Sequence, residues 1–205
     1  MRVNEQTKAE TRQALLDAAA QAFARHGYHQ TPIDSVSEAA GVAKGTIYNY
    51  FSSKEEVLHA LIHDACQLAV DAAETTPGSA STHARLEAFV QANLNWARKR
   101  TPLALLFARE LLGGDTRTQA LIREAAAPCV EKVAAILQAG IERREIEVDA
   151  PPEALAFTFL KLTNMLLLQS WESPTSWPRL RDLPATAVSL FLHGVARAGP
   201  SRNEP

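Results

Sequence analysis

Cysteine is scarce in this chain of 205 residues. Cys66 and Cys129 are the only two, and neither sits in a CxxC or zinc-finger spacing, so a disulfide framework is not expected. Aromatic residues reach only 6% and β-branched residues are sparse, whereas alanine and leucine are abundant; helix is favoured over sheet. Long apolar runs are missing as well. The best of them, "FTFLKLTNMLLL", carries Lys161 and Asn164 in its middle and is too short to cross a bilayer. The N-terminus "MRVNEQTKAETR" is polar throughout and has no apolar core of a secretory signal, so a cytoplasmic protein without a membrane partner is expected. A basic excess is absent too. The net charge is −2, and residues 1–54 hold six Lys/Arg against five Asp/Glu. Any nucleic-acid binding must therefore rest on a few well-placed cations and neutral donors, not on a broad basic footprint.

What is present is helical punctuation. Apolar residues recur at spacings of three and four between marks such as "HGYHQTP", "TTPGSAST" and "EIEVDAPPE". Leu15, Leu16, Ala19, Ala22 and Phe23 make one stripe, which Gly27 ends. Thr31-Pro32, with Asp34, reads as the capped start of a short helix to Ala40, and Gly41 supplies a turn. A second short helix, "KGTIYNYF", buries Ile47 and Phe51. Ser53 and Glu56 form a capping box that opens a helix from Lys54 to about Ala73. Further helices are expected at 82–100, 102–112, 116–143, 152–170 and 184–198, with Pro128 splitting or kinking the third of these. The fold class is all-α, about nine helices. The expected domains are residues 1–53, residues 54–198 with helix 54–73 as connector, and a tail at 199–205.

Residues 31–51 have the anatomy of a helix-turn-helix: a short helix, a glycine turn and a second short helix. The major groove admits such a second helix by its N-terminal end. Gly45 permits close approach, while Lys44 and Thr46 offer donors to base edges. Asparagine pairs with adenine through its amide, which suits Asn49. The hydroxyls of Tyr48 and Tyr50 suit phosphate oxygens, and Thr31 and Lys54 open the helices flanking the motif, where the dipole attracts phosphate.

The stretch from about Thr11 to Ile62, above all "EAAGVAKGTIYNYFSSKEEVL", resembles the TetR family of bacterial transcription regulators; beyond it the likeness is one of length and layout. The resemblance implies base-proximal roles for Lys44, Gly45, Thr46 and Asn49. It implies phosphate contacts for Thr31, Tyr48, Tyr50 and Lys54, and core roles for Ile47 and Phe51. Ala43 departs from the pattern, since the family commonly places a capping serine there; the loss costs about 1 kcal/mol. The resemblance also implies a homodimer formed by the helices near 152–170 and 184–198. Such a dimer would bind a palindromic operator on the nucleoid, and a small-molecule effector would release it, most often as a repressor.

Other chemistry is thinly represented. No nucleophile–base–orienter set and no phosphate-cradling glycine loop is present, so an enzyme is not expected, and no cofactor is implied. His59, His63 and Cys66 share a helix face at i, i+4, i+7, but no fourth ligand is evident and packing residues are the better reading, so no metal site is assigned. An effector cavity would draw on apolar residues of the C-terminal helices with a few convergent polar groups. The candidates are Phe89, Asn93, Trp96, Phe107, Lys161, Asn164, Met165 and Gln169. Gating by a protein partner, or no effector at all, is the rival expectation, with a metal-responsive regulator behind it.

Overall fold

The structure, a computed structural model, describes residues 2–172 and 177–195. The expected tail 199–205 and the end of the expected helix 184–198 lie outside the described residues. Nine α-helices and two 3-10 turns appear there: α1 Arg2–His26, α2 Asp34–Ala39, α3 Lys54–Thr75, α4 Thr82–Lys99, α5 Thr101–Gly113, α6 Thr116–Ala125, α7 Ala127–Glu142, α8 Pro152–Glu172 and α9 Leu183–Val195. The 3-10 turns are Thr46–Asn49 and Leu180–Asp182, and no strand occurs among the described residues. The expected helix 116–143 is two helices, broken at Ala126 just before Pro128. Pro128 lacks an N–H and its ring would strike the carbonyl four residues back, so it is tolerated only in a first turn.

The chain packs as two compact units, Met1–Cys66 with Trp96–Ala126, and Gln67–Asn95 with the chain from Ala127 onward. The division falls inside α3 and α4, and α5 and α6 belong with the N-terminal elements. In the first unit α1 packs on α2 and α5, and α5 on α6. Its core is built from Leu15, Leu16, Ala19, Phe23, Val36, Ile47, Phe51, Leu58 and Leu103, all buried. Of the stripe read along α1, Leu15, Leu16, Ala19 and Phe23 are buried and Ala22 is half-buried.

In the second unit α8 packs on both α7 and α9, and Phe159 meets Phe191 edge-to-face at 5.0 Å. Gly140 lies in α7 where the Thr82 side chain would collide with any Cβ. The same corner is tied by Glu145, which accepts from the Thr82 amide at 2.6 Å and from Arg143 Nε at 2.6 Å. Those bonds, Arg143 foremost, hold the Glu145 carboxyl down at about 2.

Candidate nucleic-acid interface

The helix-turn-helix is assembled by short-range bonds. After α2, Gly41 (φ 71°) and Gly45 (φ 84°) take left-handed conformations, which cost other residues about 1–2 kcal/mol. The Thr46, Tyr48 and Tyr50 amides donate three residues back, to the Ala43, Gly45 and Ile47 carbonyls at 2.9, 3.1 and 3.0 Å. The regular part of the expected "KGTIYNYF" helix is therefore a four-residue 3-10 turn, preceded by Lys44 and Gly45. A glycine in left-handed conformation at its start stops an α-helix from beginning at Lys44, and no side chain caps it, consistent with alanine at position 43. Ile47 is fully buried, and its amide donates to the buried Ser37 hydroxyl at 3.2 Å. Phe51 is buried under the Arg12 guanidinium, 5.3 Å from the ring centre. These two anchors fix the turn against α1 and α2.

With Ile47 and Phe51 turned inward, the intervening side chains face out. Lys44, Tyr48 and Asn49 are exposed, while Gly45, Thr46 and Tyr50 are half-buried. Tyr48 is 51% exposed, and its hydroxyl donates to Asp34 Oδ1 at 2.8 Å. That bond raises the Tyr48 pKa above the usual phenol value and holds the ring in one pose. Asp34 was not legible as its partner, because it stands in α2 with no local spacing signal.

Two expected phosphate ligands are turned inward. Thr31 is 2% exposed, and its hydroxyl donates to the carbonyls of Gly27 (2.8 Å) and Ala22 (3.3 Å). It does not cap α2, which begins at Asp34 after Ile33 and has no side-chain cap. Lys54 Nζ donates to the carbonyls of Tyr28, His29 and Thr31 at 3.0, 3.1 and 3.3 Å, and lies 4.7 Å from the Tyr28 ring centre. Three donors meet three carbonyls, so this ammonium braces the loop after α1. The start of α3 does carry the expected cap: Ser53 Oγ accepts from the Glu56 amide, and the Glu56 carboxylate accepts from the Ser52 amide and hydroxyl.

The residues expected around an effector belong to both units. Trp96 and Phe107 stack at 6.1 Å in the first unit. Phe89 is buried in the second, where Asn93 is half-buried. Asn164 returns its amide to the Leu160 carbonyl of its own helix at 3.0 Å. Lys161, Met165 and Gln169 are exposed on α8, and Gln169 donates to the Trp177 carbonyl at 2.7 Å. An open groove of about 710 Å³ lies elsewhere, in the first unit, between α1 (Asp17, Ala20, Arg25) and the α4–α5 junction (Lys99, Arg100, Leu103); none of the eight candidates lines it. His59 and His63 stack at 6.2 Å and Cys66 is buried, but they do not converge as metal ligands. Among the described residues no helix is long and apolar enough to cross a membrane.

Comparison with known proteins agrees with this geometry. The family model described as "Bacterial regulatory proteins, tetR family" matches residues 15–61. An uncharacterised HTH-type transcriptional regulator of Bacillus subtilis (strain 168), YhgD, is 30% identical over 77% of this chain and 82% of its own length. The fatty acid degradation regulator FadR from Bacillus halodurans is 25% identical and superposes with a TM-score of 0.76 over 90% of this chain and 96% of that one. FadR from Bacillus subtilis in complex with stearoyl-CoA is 23% identical, with a TM-score of 0.74 over 89% of this chain and 98% of that one. These similarities are to regulators of transcription, not to enzymes.

Proposed function

From the premise that the chain belongs to the TetR family of bacterial regulatory proteins, we propose that it is a homodimeric repressor released from a palindromic operator by a small molecule. The observation that carries the DNA-binding half is the outward set on the 3-10 turn. Ile47 is pinned beneath, and Lys44, Tyr48 and Asn49 stand exposed around it. Lys44, Gly45, Thr46 and Asn49 are assigned to base edges, with lysine to guanine and asparagine to adenine as the pairings that groove chemistry favours. Tyr48 and Tyr50 are assigned to phosphate oxygens, which fix register without reading sequence. Thr31 and Lys54 serve behind this surface by holding the loop from Gly27 to Thr31. The protein would work on the nucleoid in the bacterial cytoplasm.

Dimerisation is supported by the outer faces of α8 and α9. Phe157, Met165 and Leu190 are 40%, 53% and 42% exposed, and the first two lie eight residues apart on one face of α8. Lys161 lies between them and Gln169 one turn beyond Met165, both exposed, so these residues suit a subunit interface better than a cavity. Two copies related by a two-fold axis present two reading turns to half-sites separated by a multiple of about 34–36 Å.

The effector half draws on the two fatty acid regulators of the same fold, one of which was solved with stearoyl-CoA. A long-chain acyl-CoA is the first class to test. An effector that prefers the DNA-incompatible arrangement lowers operator affinity by the same factor by which DNA lowers effector affinity. Duplexes selected by the purified protein from random oligonucleotides should contain an inverted repeat, and stearoyl-CoA should displace them in an anisotropy titration. Selection without displacement by any chain length would remove the acyl-CoA reading and leave the operator reading standing.

A further inference from the structure

We propose that His29, Glu110 and Asp115 form a binding site for a divalent first-row metal ion, with zinc the best fit. Three separate segments of the first unit supply the donors: the loop after α1, the last turn of α5 and the N-cap of α6. His29 Nε2 lies 3.4 Å from Asp115 Oδ2 and 3.7 Å from Glu110 Oε2. All three ligand atoms lie within 4.8 Å of one another, and no other group among the described residues brings three such donors together. Zinc bonds of about 2.0–2.2 Å at tetrahedral angles place ligand atoms about 3.3–3.6 Å apart. The two separations match that edge or exceed it by about a tenth of an ångström. One imidazole with two carboxylates is a borderline donor set, which suits zinc and its neighbours better than calcium or magnesium, both of which take oxygen. Half-exposed His29 and Asp115 leave the remaining coordination to water.

The surroundings prepare these donors. Asp115 uses Oδ1 to accept from the Arg117 and Thr118 amides, and the Thr118 hydroxyl donates to Oδ2 at 2.6 Å. Outer bonds of that kind orient a ligating carboxylate. Lys54 fixes the His29 carbonyl. Position 114 is glycine, and a Cβ there would stand 2.5 Å from Glu110 Oε2, the oxygen that faces His29. The absence of a side chain leaves room for that oxygen and for the Glu110 carbonyl, which a Cβ would meet at the same distance. Glu55 is already paired with Arg117 at 3.0 Å, so the two site carboxylates keep their charge for a cation.

Metal binding at this site needs only the protein and not DNA. Full-length protein stripped with EDTA and dialysed should bind zinc chloride with one ion per chain by isothermal titration at neutral pH. His29→Ala and Glu110→Gln should each weaken binding at least about tenfold, while His59→Ala should leave it unchanged. Helix content and thermal midpoint in EDTA establish that each variant is folded. Cobalt(II) added to the unmodified chain gives a readout that needs no variant: intense ligand-field bands of a four- or five-coordinate ion are expected. An aqua-ion spectrum, equal zinc binding by folded His29→Ala, or loss of binding in His59→Ala would overturn the proposal.

Discussion

A lysine ammonium has three N–H bonds to give, and Lys54 gives them to the carbonyls of Tyr28, His29 and Thr31. Lys54→Met keeps most of the stem but leaves three carbonyls without their donor. It should lower unfolding stability by about 1.5–3 kcal/mol in a denaturant titration, the range for hydrogen bonds to a charged group. A loss near zero would mean that Lys54 is held in reserve for phosphate. Tyr48 and Asn49 make the opposite pair, since both are exposed and neither side chain is needed by the core. Tyr48→Phe should weaken binding to every duplex by a similar factor, because it removes a hydroxyl that positions without reading. Asn49→Ala should also flatten the preference at one base pair in each half-site, worth about 1–3 kcal/mol of discrimination. Competition with a panel of single-base variants of a selected duplex separates the two outcomes.

Between residues and molecule stand the short elements, and there one glycine is decisive. Gly45 holds φ at 84° immediately before the 3-10 turn, so Gly45→Ala should cost about 1 kcal/mol of stability and displace Lys44 from its place. Gly140 acts by space instead: Gly140→Ala would drive a methyl into Thr82 and should cost about 1–3 kcal/mol, the usual penalty of overpacking, read as a lowered thermal midpoint. The Glu145 corner adds a pH signature. Its folded pKa of about 2 lies below the ordinary value of 4.5. Its contribution is therefore complete above pH 4.5 and is lost as pH falls toward 2. Glu145→Gln should be less stable than the parent at neutral pH, with the gap closing across that window in pH-dependent melts. Elements of this kind were partly legible in advance. The stripe Leu15–Leu16–Ala19–Phe23 and the break at Pro128 follow from local periodicity and a missing N–H. Thr31 and Lys54 looked like helix-start phosphate ligands because their partners, the carbonyls after α1, carry no side-chain signature. His29, Glu110 and Asp115 share no spacing at all, and only the packing of α5 and α6 into the first unit joins them.

At the scale of the whole molecule, a net charge of −2 leaves little non-specific attraction to a polyanion, so the proposed operator binding draws its affinity from two copies bound at once. Replacing Phe157 and Leu190 with glutamate should leave the monomer folded, since both already reach solvent and neither is a buried core residue. The variant should sediment as a monomer and lose operator affinity by on the order of a hundredfold or more, the scale on which linking two sites raises avidity. Unchanged sedimentation would move the subunit interface away from α8 and α9. The central claim, that residues 44–50 enter a DNA groove, has its most direct measurement in selection from random duplexes at low salt, repeated with Asn49→Ala. The parent protein should enrich an inverted repeat whose half-sites lie a whole number of helical turns apart, and the variant should enrich the same repeat with one base pair per half-site relaxed. Failure of the folded dimer to enrich any duplex, or an identical motif from the variant, would contradict it.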